Sequence, residues 1–182
     1  MERTASRMKI SPTIEDYLGI LFVLQRDGEP VVGARLADLM GVSPPTVTNT
    51  FKRMVRDGLL VMDDVSGRSV RPRLTEPGLE AARSVMRRHM LTEWMLSRML
   101  SWSKLHIQAH ELEHAISLDL ETALIEELNQ PEVCPHGNPL PGFEAVTALW
   151  IPLIEIEAGE WVVVRRIHEL AEQNPELLAF LE

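Results

Sequence analysis

Met40-Gly41-Val42-Ser43-Pro44-Pro45-Thr46-Val47-Thr48-Asn49 is the stretch on which the fold turns. Ser followed by Pro is a helix start, because Ser can cap the first turn and Pro lacks only an N–H that would go unused there. The helix is expected to run from Pro45 to about Asp57, where Gly58 stops it. Before it, Val31 to Leu39 reads as a second short helix, joined through Met40-Gly41-Val42. Two short helices meeting at a Gly-containing turn form a helix-turn-helix pattern. In the second of them Val47, Phe51, Met54 and Val55 can bury. That leaves Ser43, Pro45, Thr46, Thr48 and Asn49 at its start for base edges, with Lys52 and Arg53 further along for phosphates.

Leu59 to Met62 and Arg68 to Leu74 read as two strands around the turn Asp63 to Gly67. A basic hairpin after a recognition helix is a wing, so Arg68, Arg71 and Arg73 are expected to flank DNA; a merely solvated charge run is the plainer reading. Upstream, Ser11-Pro12-Thr13-Ile14 opens a helix that should reach about Arg26. Asp16, three residues after Thr13, has an ordinary explanation as the acidic partner of a capping box.

Downstream, Thr75 should cap a helix from Glu76 to about Leu100, on which His89 and Glu93 share one side. Leu105 to Leu128 contains no Gly or Pro and is expected to form one continuous helix. At about 100° per residue, His106, His110, Glu113 and His114 fall within an arc of roughly 100°. Three imidazoles and a carboxylate on one face make a half-site for a divalent metal, and His89 with Glu93 next to His106 could form a second one. The same letters, His110-Glu111-Leu112-Glu113-His114, also match the H-E-x-x-H pattern of zinc metalloproteases, with Glu111 as general base. Asn129 to Gly142 is a Pro/Gly-rich loop in which Cys134 and His136 could bind metal, though a rigid connector is the simpler role. Ala145 to Ile167 has a strand-like pattern, and Glu169 to Glu182 a helical one.

The net charge of -9 conceals an asymmetry. Residues 1–90 hold 14 Lys and Arg against 11 Asp and Glu, whereas residues 91–182 hold 4 against 16. A mildly basic working end is thus joined to an acidic end that attracts cations. No apolar run approaches the roughly 18 residues of a membrane span, and residues 1–12 lack the apolar core of a signal peptide. One cysteine, Cys134, can form no internal disulfide, which suits a reducing compartment; the expectation is a cytoplasmic protein without membrane attachment.

Taken together, Thr13 to Leu18, Val42 to Thr48, Arg56-Asp57-Gly58-Leu59, Arg88-His89, His106 to His114 and Cys134-Pro-His-Gly-Asn-Pro-Leu-Pro-Gly142 resemble the diphtheria toxin repressor family of metal-activated, dimeric winged-helix repressors. The likeness covers residues 10–142 in order, and the final stretch resembles the start of the family's SH3-like third domain, shortened. It implies a mainly α chain in three parts: a winged helix-turn-helix over 1–75, a helical metal-binding and dimerisation domain over 76–142, and a partial SH3-like β segment over 143–182. The resemblance further implies a primary metal site of Asp16, His110, Glu113 and His114 and an ancillary site of His89, Glu93 and His106, with Gln173 or Glu176 as further candidates. The implied partners are double-stranded operator DNA and a second copy of the chain.

The ligand pattern departs from both known branches of the family. The iron branch has Met and Cys where this chain has Asp16 and His110; the manganese branch has Asp and Glu, and one manganese form adds a Glu where Gly19 stands. Oxygen from Asp16 and the lack of sulfur favour Mn(II) over Fe(II). Two other readings stay open at this point: a winged-helix regulator that senses another ligand, and a zinc protease built on the H-E-x-x-H letters.

Overall fold

The computed structural model describes residues 10–65 and 69–182, which fall into two compact units, 1–84 and 85–182. The first contains α1 (Pro12–Arg26), α2 (Gly33–Leu39), α3 (Pro44–Arg56), β1 (Leu60–Val65), β2 (Ser69–Leu74) and the start of α4 (Glu76–Leu96). This is the helix-turn-helix and hairpin order that the sequence implies.

Each helix start follows from local chemistry. Ser43 Oγ accepts from Thr46 N at 3.4 Å, with Pro44 in the first turn of α3. Val47, Thr50, Phe51 and Met54 then bury at helical spacing. Val55 is 42% exposed instead, since it lies about 90° from the centre of that buried face. Thr50, one turn before Met54, takes the place expected of it. α1 begins at Pro12 with Ser11 as its cap residue. Asp16 therefore lies a full turn inside the helix, so a capping box with Thr13 does not account for it.

β1 and β2 pair antiparallel, Leu60 opposite Leu74 and Asp63 opposite Arg71. Leu59, Leu60 and Leu74 are buried at the base of the hairpin. Thr75 then fixes the start of α4: its Oγ1 accepts from Gly78 N at 3.1 Å and donates to Gly58 O at 2.5 Å, and its N–H donates to Leu59 O at 3.1 Å. This leaves no room above Gly78, where a Cβ would stand 1.9 Å from Leu59 O.

The second unit carries the rest of α4, then α5 (Leu105–Leu112), α6 (Leu118–Glu127) and α7 (Pro175–Leu181). α4 stops at Leu96, short of the expected Leu100, and Ser97 Oγ turns back onto Trp94 O at 2.7 Å. The helix expected over Leu105 to Leu128 is broken: Glu113–Ala115 form a 3-10 turn and Ile116 is extended. Ser117 starts a new helix, its side chain accepting from Leu120 N at 3.2 Å. A good cap inside an apolar-periodic run has ended one helix and begun the next.

The β segment expected in 143–182 is not realised among the described residues. That stretch holds 3-10 turns at Glu144–Thr147, Leu153–Glu155 and Glu169–Ala171, and α7. Alternating residues specify a strand only when another strand completes the ladder, and here none does. Leu149, Ile154 and Trp161 are accordingly 91%, 94% and 100% exposed. The helix expected from Glu169 is likewise split, because Asn174 caps α7 through Glu176 N and Leu177 N, with Pro175 in its first turn. Among the described residues no helix is long and apolar enough to cross a membrane.

Gly78→Ala must push α4 away from Leu59 or distort the turn. The expected loss is about 1–3 kcal/mol, read as a lower urea midpoint at unchanged slope; an unchanged midpoint would contradict the packing described.

Candidate metal centre and nucleic-acid face

Within the second unit, α4 presents His89 and Glu93 one turn apart, α5 presents His106, the 134–142 loop presents His136, and the 3-10 turn Glu169–Ala171 with the residue after it presents Glu169 and Glu172. Glu93 Oε1 lies 3.4 Å from His89 Nε2, 3.6 Å from His106 Nδ1 and 3.2 Å from His136 Nδ1. Glu172 Oε2 lies 3.0 Å from His106 Nδ1 and 3.3 Å from His136 Nδ1, and Glu169 Oε1 is 3.9 Å from His89 Nε2. Glu93 and Glu172 are fully buried, and His89, His136 and Glu169 are 3%, 2% and 4% exposed. The buried Cys134 thiol lies within 4.8 Å of donor atoms of Glu93 and His136.

A second set of donors surrounds Glu113, which is itself only 3% exposed. Its Oε2 is 2.5 Å from His89 Nδ1, and its Oε1 is 3.4 Å from His110 Nδ1 and 3.7 Å from His114 Nε2. The 3-10 turn aims Glu113 inward while the His110 side chain stays 53% exposed. His89 serves both sets, one ring nitrogen to each. Asp16 lies in the first unit, half-buried on α1.

The electrostatics follow from crowding. Burial opposes charge on His89, but the hydrogen bond to Glu113 and the nearby Glu93 carboxylate prevail and hold its pKa well above the ordinary value. Burial opposes charge on His106 too, yet Glu172 and Glu93 raise it to about 9. Glu113 is held down at about 2 by His110 and His89 against the cost of burial. Glu172 goes the other way, to about 8, because it is buried and faces the carboxylates of Glu169 and Glu93. Burial and the same acids push the Cys134 thiol up.

A cation fits this arrangement. Both oxygens of Glu93, Glu172 Oε2 and His136 Nδ1 are buried without an aligned hydrogen bond, although they crowd within contact range of one another. Buried polar atoms left in that condition call for a ligand. Converging imidazole nitrogens and carboxylate oxygens are the donors of a divalent transition metal.

Of the residues read from sequence as ligands, those in the second unit thus come together in two groups, His89-Glu93-His106 and His110-Glu113-His114. Gln173 and Glu176 are exposed; Glu169 and Glu172 take the positions considered for them. Those two acids sit three apart, which is one helical turn, and that spacing was the available signal. The loop is held as a connector, with Trp94 Nε1 and Trp102 Nε1 donating to Val133 O and Pro135 O, and the His136 imidazole lies 3.2 Å from Glu93.

The protease reading does not survive the backbone. H-E-x-x-H chemistry places both histidines on one continuous helix, whereas α5 ends at Leu112, Glu111 is exposed, and the His110 and His114 rings are 6.1 Å apart around Glu113.

In the first unit, Ser43, Pro45, Thr46, Thr48, Asn49, Lys52, Arg53 and Arg71 are all exposed. On α3 the exposed residues lie opposite the buried Val47-Thr50-Phe51-Met54 face. Ser43 and Thr48 also serve the backbone, Thr48 Oγ1 donating to Pro44 O at 3.1 Å. Arg73 is held by Asp63 at 2.5 Å and Arg56 by Asp57 at 2.8 Å, so both wing and helix carry internal ion pairs. Arg68 lies outside the described residues.

Residues 9–67 match the iron dependent repressor N-terminal DNA binding domain, and residues 75–142 match the iron dependent repressor metal binding and dimerisation domain. The iron-dependent repressor IdeR of Mycobacterium leprae (strain TN) is 36% identical over 183 residues, spanning 93% of this chain and 78% of that protein. The diphtheria toxin repressor of Corynebacterium diphtheriae is 37% identical over 134 residues, 72% of this chain and 58% of that one. A solved manganese-dependent transcriptional repressor in complex with manganese superposes with a TM-score of 0.74 at 29% identity, covering 92% of this chain and 76% of the other. With both of its domains matched in order and the donors gathered as described, this chain belongs to the iron-dependent repressor family: it is a metal-dependent, DNA-binding transcriptional repressor and not an enzyme.

Proposed function

We propose that this repressor is activated by Mn(II) in preference to Fe(II), binds two ions per chain, and grips double-stranded operator DNA as a homodimer. The observation that carries the reading is the buried Glu113 carboxylate, ringed by His89, His110 and His114. The primary site assigned is Asp16, His110, Glu113 and His114, and the ancillary site is His89, Glu93 and His106 with Glu172 as a further ligand, a choice supported by the 3.0 Å approach of Glu172 Oε2 to His106 Nδ1. Asp16 lies beyond the capping position of α1, so a ligand role accounts for an acid that helix capping does not explain.

A bound ion would supply positive charge to carboxylates otherwise held by imidazoles. Donors drawn from residues far apart in sequence give the ion a higher affinity for the one conformation that unites them, and such differential affinity shifts a conformational equilibrium. Mn(II) is favoured because the set is rich in carboxylate oxygen; the imidazoles widen its reach toward Fe(II), Co(II) and Zn(II). On the DNA side, Thr46, Asn49 and the residues near the α3 start suit base edges, while Lys52, Arg53, Arg68 and Arg71 suit phosphates.

Fluorescence anisotropy of labelled operator, with Mn(II), Fe(II) and Zn(II) titrated separately into chelator-treated protein, tests the class and ranks the metals. DNA binding should require metal, with Mn(II) effective at the lowest free concentration. His110→Ala should abolish the metal-dependent part; Mn(II)-stimulated binding that persists in this variant would remove His110 from the site.

Arg71→Ala should weaken operator and non-operator DNA alike and reduce the slope of log K against log salt by about 1. A loss confined to sequence preference would contradict a backbone contact.

A further inference from the structure

Glu172 reaches the metal centre from a 3-10 turn near the end of the chain, an element with little rigidity of its own. What fixes it is a neighbour outside the donor set. Asn138 is fully buried in the 134–142 loop, and its side chain spends every polar group it can. One Nδ2 hydrogen goes to Ile167 O at 2.8 Å and the other to Glu172 Oε1. Its Oδ1 accepts from Arg166 Nε at 2.7 Å.

The backbone holds this amide in register. Asn138 O accepts from Cys134 N at 2.8 Å, and His136 O accepts from Ile167 N at 2.9 Å, so the loop and the 165–172 segment lie against each other. Gly137 permits the approach: with φ at +86° and a Cβ position 1.9 Å from Arg165 O, only glycine fits.

We propose that Asn138 is a positioning residue of the metal centre, clamping Glu172 Oε1 so that Glu172 Oε2 is aimed at His106 Nδ1 and His136 Nδ1. An amide is required there. It donates to a carboxylate and to a carbonyl while accepting from a guanidinium, a combination that no hydroxyl, carboxylate or apolar group of that size provides. Partners that orient a ligand in this way typically contribute about 10- to 100-fold in metal affinity. The inference rests on Glu172 being a ligand, as put forward above.

Co(II) binding to the full chain tests it, measured by calorimetry and by d–d absorption in a His110→Ala background that leaves the Glu172 centre alone. Asn138→Ala should weaken Co(II) binding by about 10- to 100-fold and shift the d–d bands. Asn138→Asp keeps the volume and the bond from Arg166 while turning the contact with Glu172 repulsive, so it should weaken binding in a chain that folds. When Glu172→Gln is already present, Asn138→Ala should cost little more. Wild-type affinity and bands in both Asn138 variants, beside an impaired Glu172→Gln, would overturn the positioning role alone. An equal loss from Asn138→Ala with and without Glu172→Gln would also overturn it, by showing that the amide acts on the loop and not through Glu172. If Glu172→Gln itself binds Co(II) like wild type, the ligand set is wrong and this inference goes with it.

Discussion

A single imidazole, His89, sets the terms for the second unit. Its Nδ1 is 2.5 Å from Glu113 and its Nε2 faces Glu93 and His106, with the ring almost fully withdrawn from solvent. Carboxylates are costly to bury unless opposite charge or a cation meets them, so the acids and the histidines must arrive together or not at all. That requirement reaches outward through the chain. α4 has to keep His89 and Glu93 in step, α5 has to stop at Leu112 so that Glu113 can turn in, and two loops have to deliver His136 and Glu172. Leu96, Leu105 and Ala109 form a buried apolar cluster that joins α4 to α5, the helices that carry His89, Glu93 and His106.

The first unit was largely legible in the sequence, because its signals are local. Ser43-Pro44 marks a start, Thr75 caps α4, and the apolar spacing in α3 follows a period of 3.6 residues; each rule concerns residues within a turn or two of one another. The donors on α4 and α5 were legible for the same reason. What escaped was decided by distant neighbours. Nothing near Glu172 announces that Asn138 and His106 await it, and nothing within Ala145 to Ile167 says whether another strand is present to pair with. The break at Ser117 lies between these cases: the cap residue was visible, but the absence of Gly and Pro outweighed it.

Charge is divided between the two units as their tasks demand. Lys52, Arg53, Arg56, Arg71 and Arg73 face solvent, with Asp57 and Asp63 pinning Arg56 and Arg73 in place. The acids that matter in the second unit are buried, where the field is strong and solvent cannot screen it. A chain that is acidic overall can therefore carry a DNA-binding surface, because long-range repulsion is screened within about 10 Å in ordinary salt while contacts with phosphate are local.

The unequal exposure of the two donor groups bears on time as well as on affinity. Around Glu93 every donor side chain except His106 is less than a tenth exposed, whereas the His110 side chain beside Glu113 is 53% open to water. On the two-site reading proposed above, an ion at the more buried group would exchange mainly through local opening of the segments that cover it, so its residence would follow the rate of that opening. An ion beside His110 can exchange ligand for water one bond at a time. On that two-site reading, one chain would hold a slow memory of metal supply next to a fast reading of it.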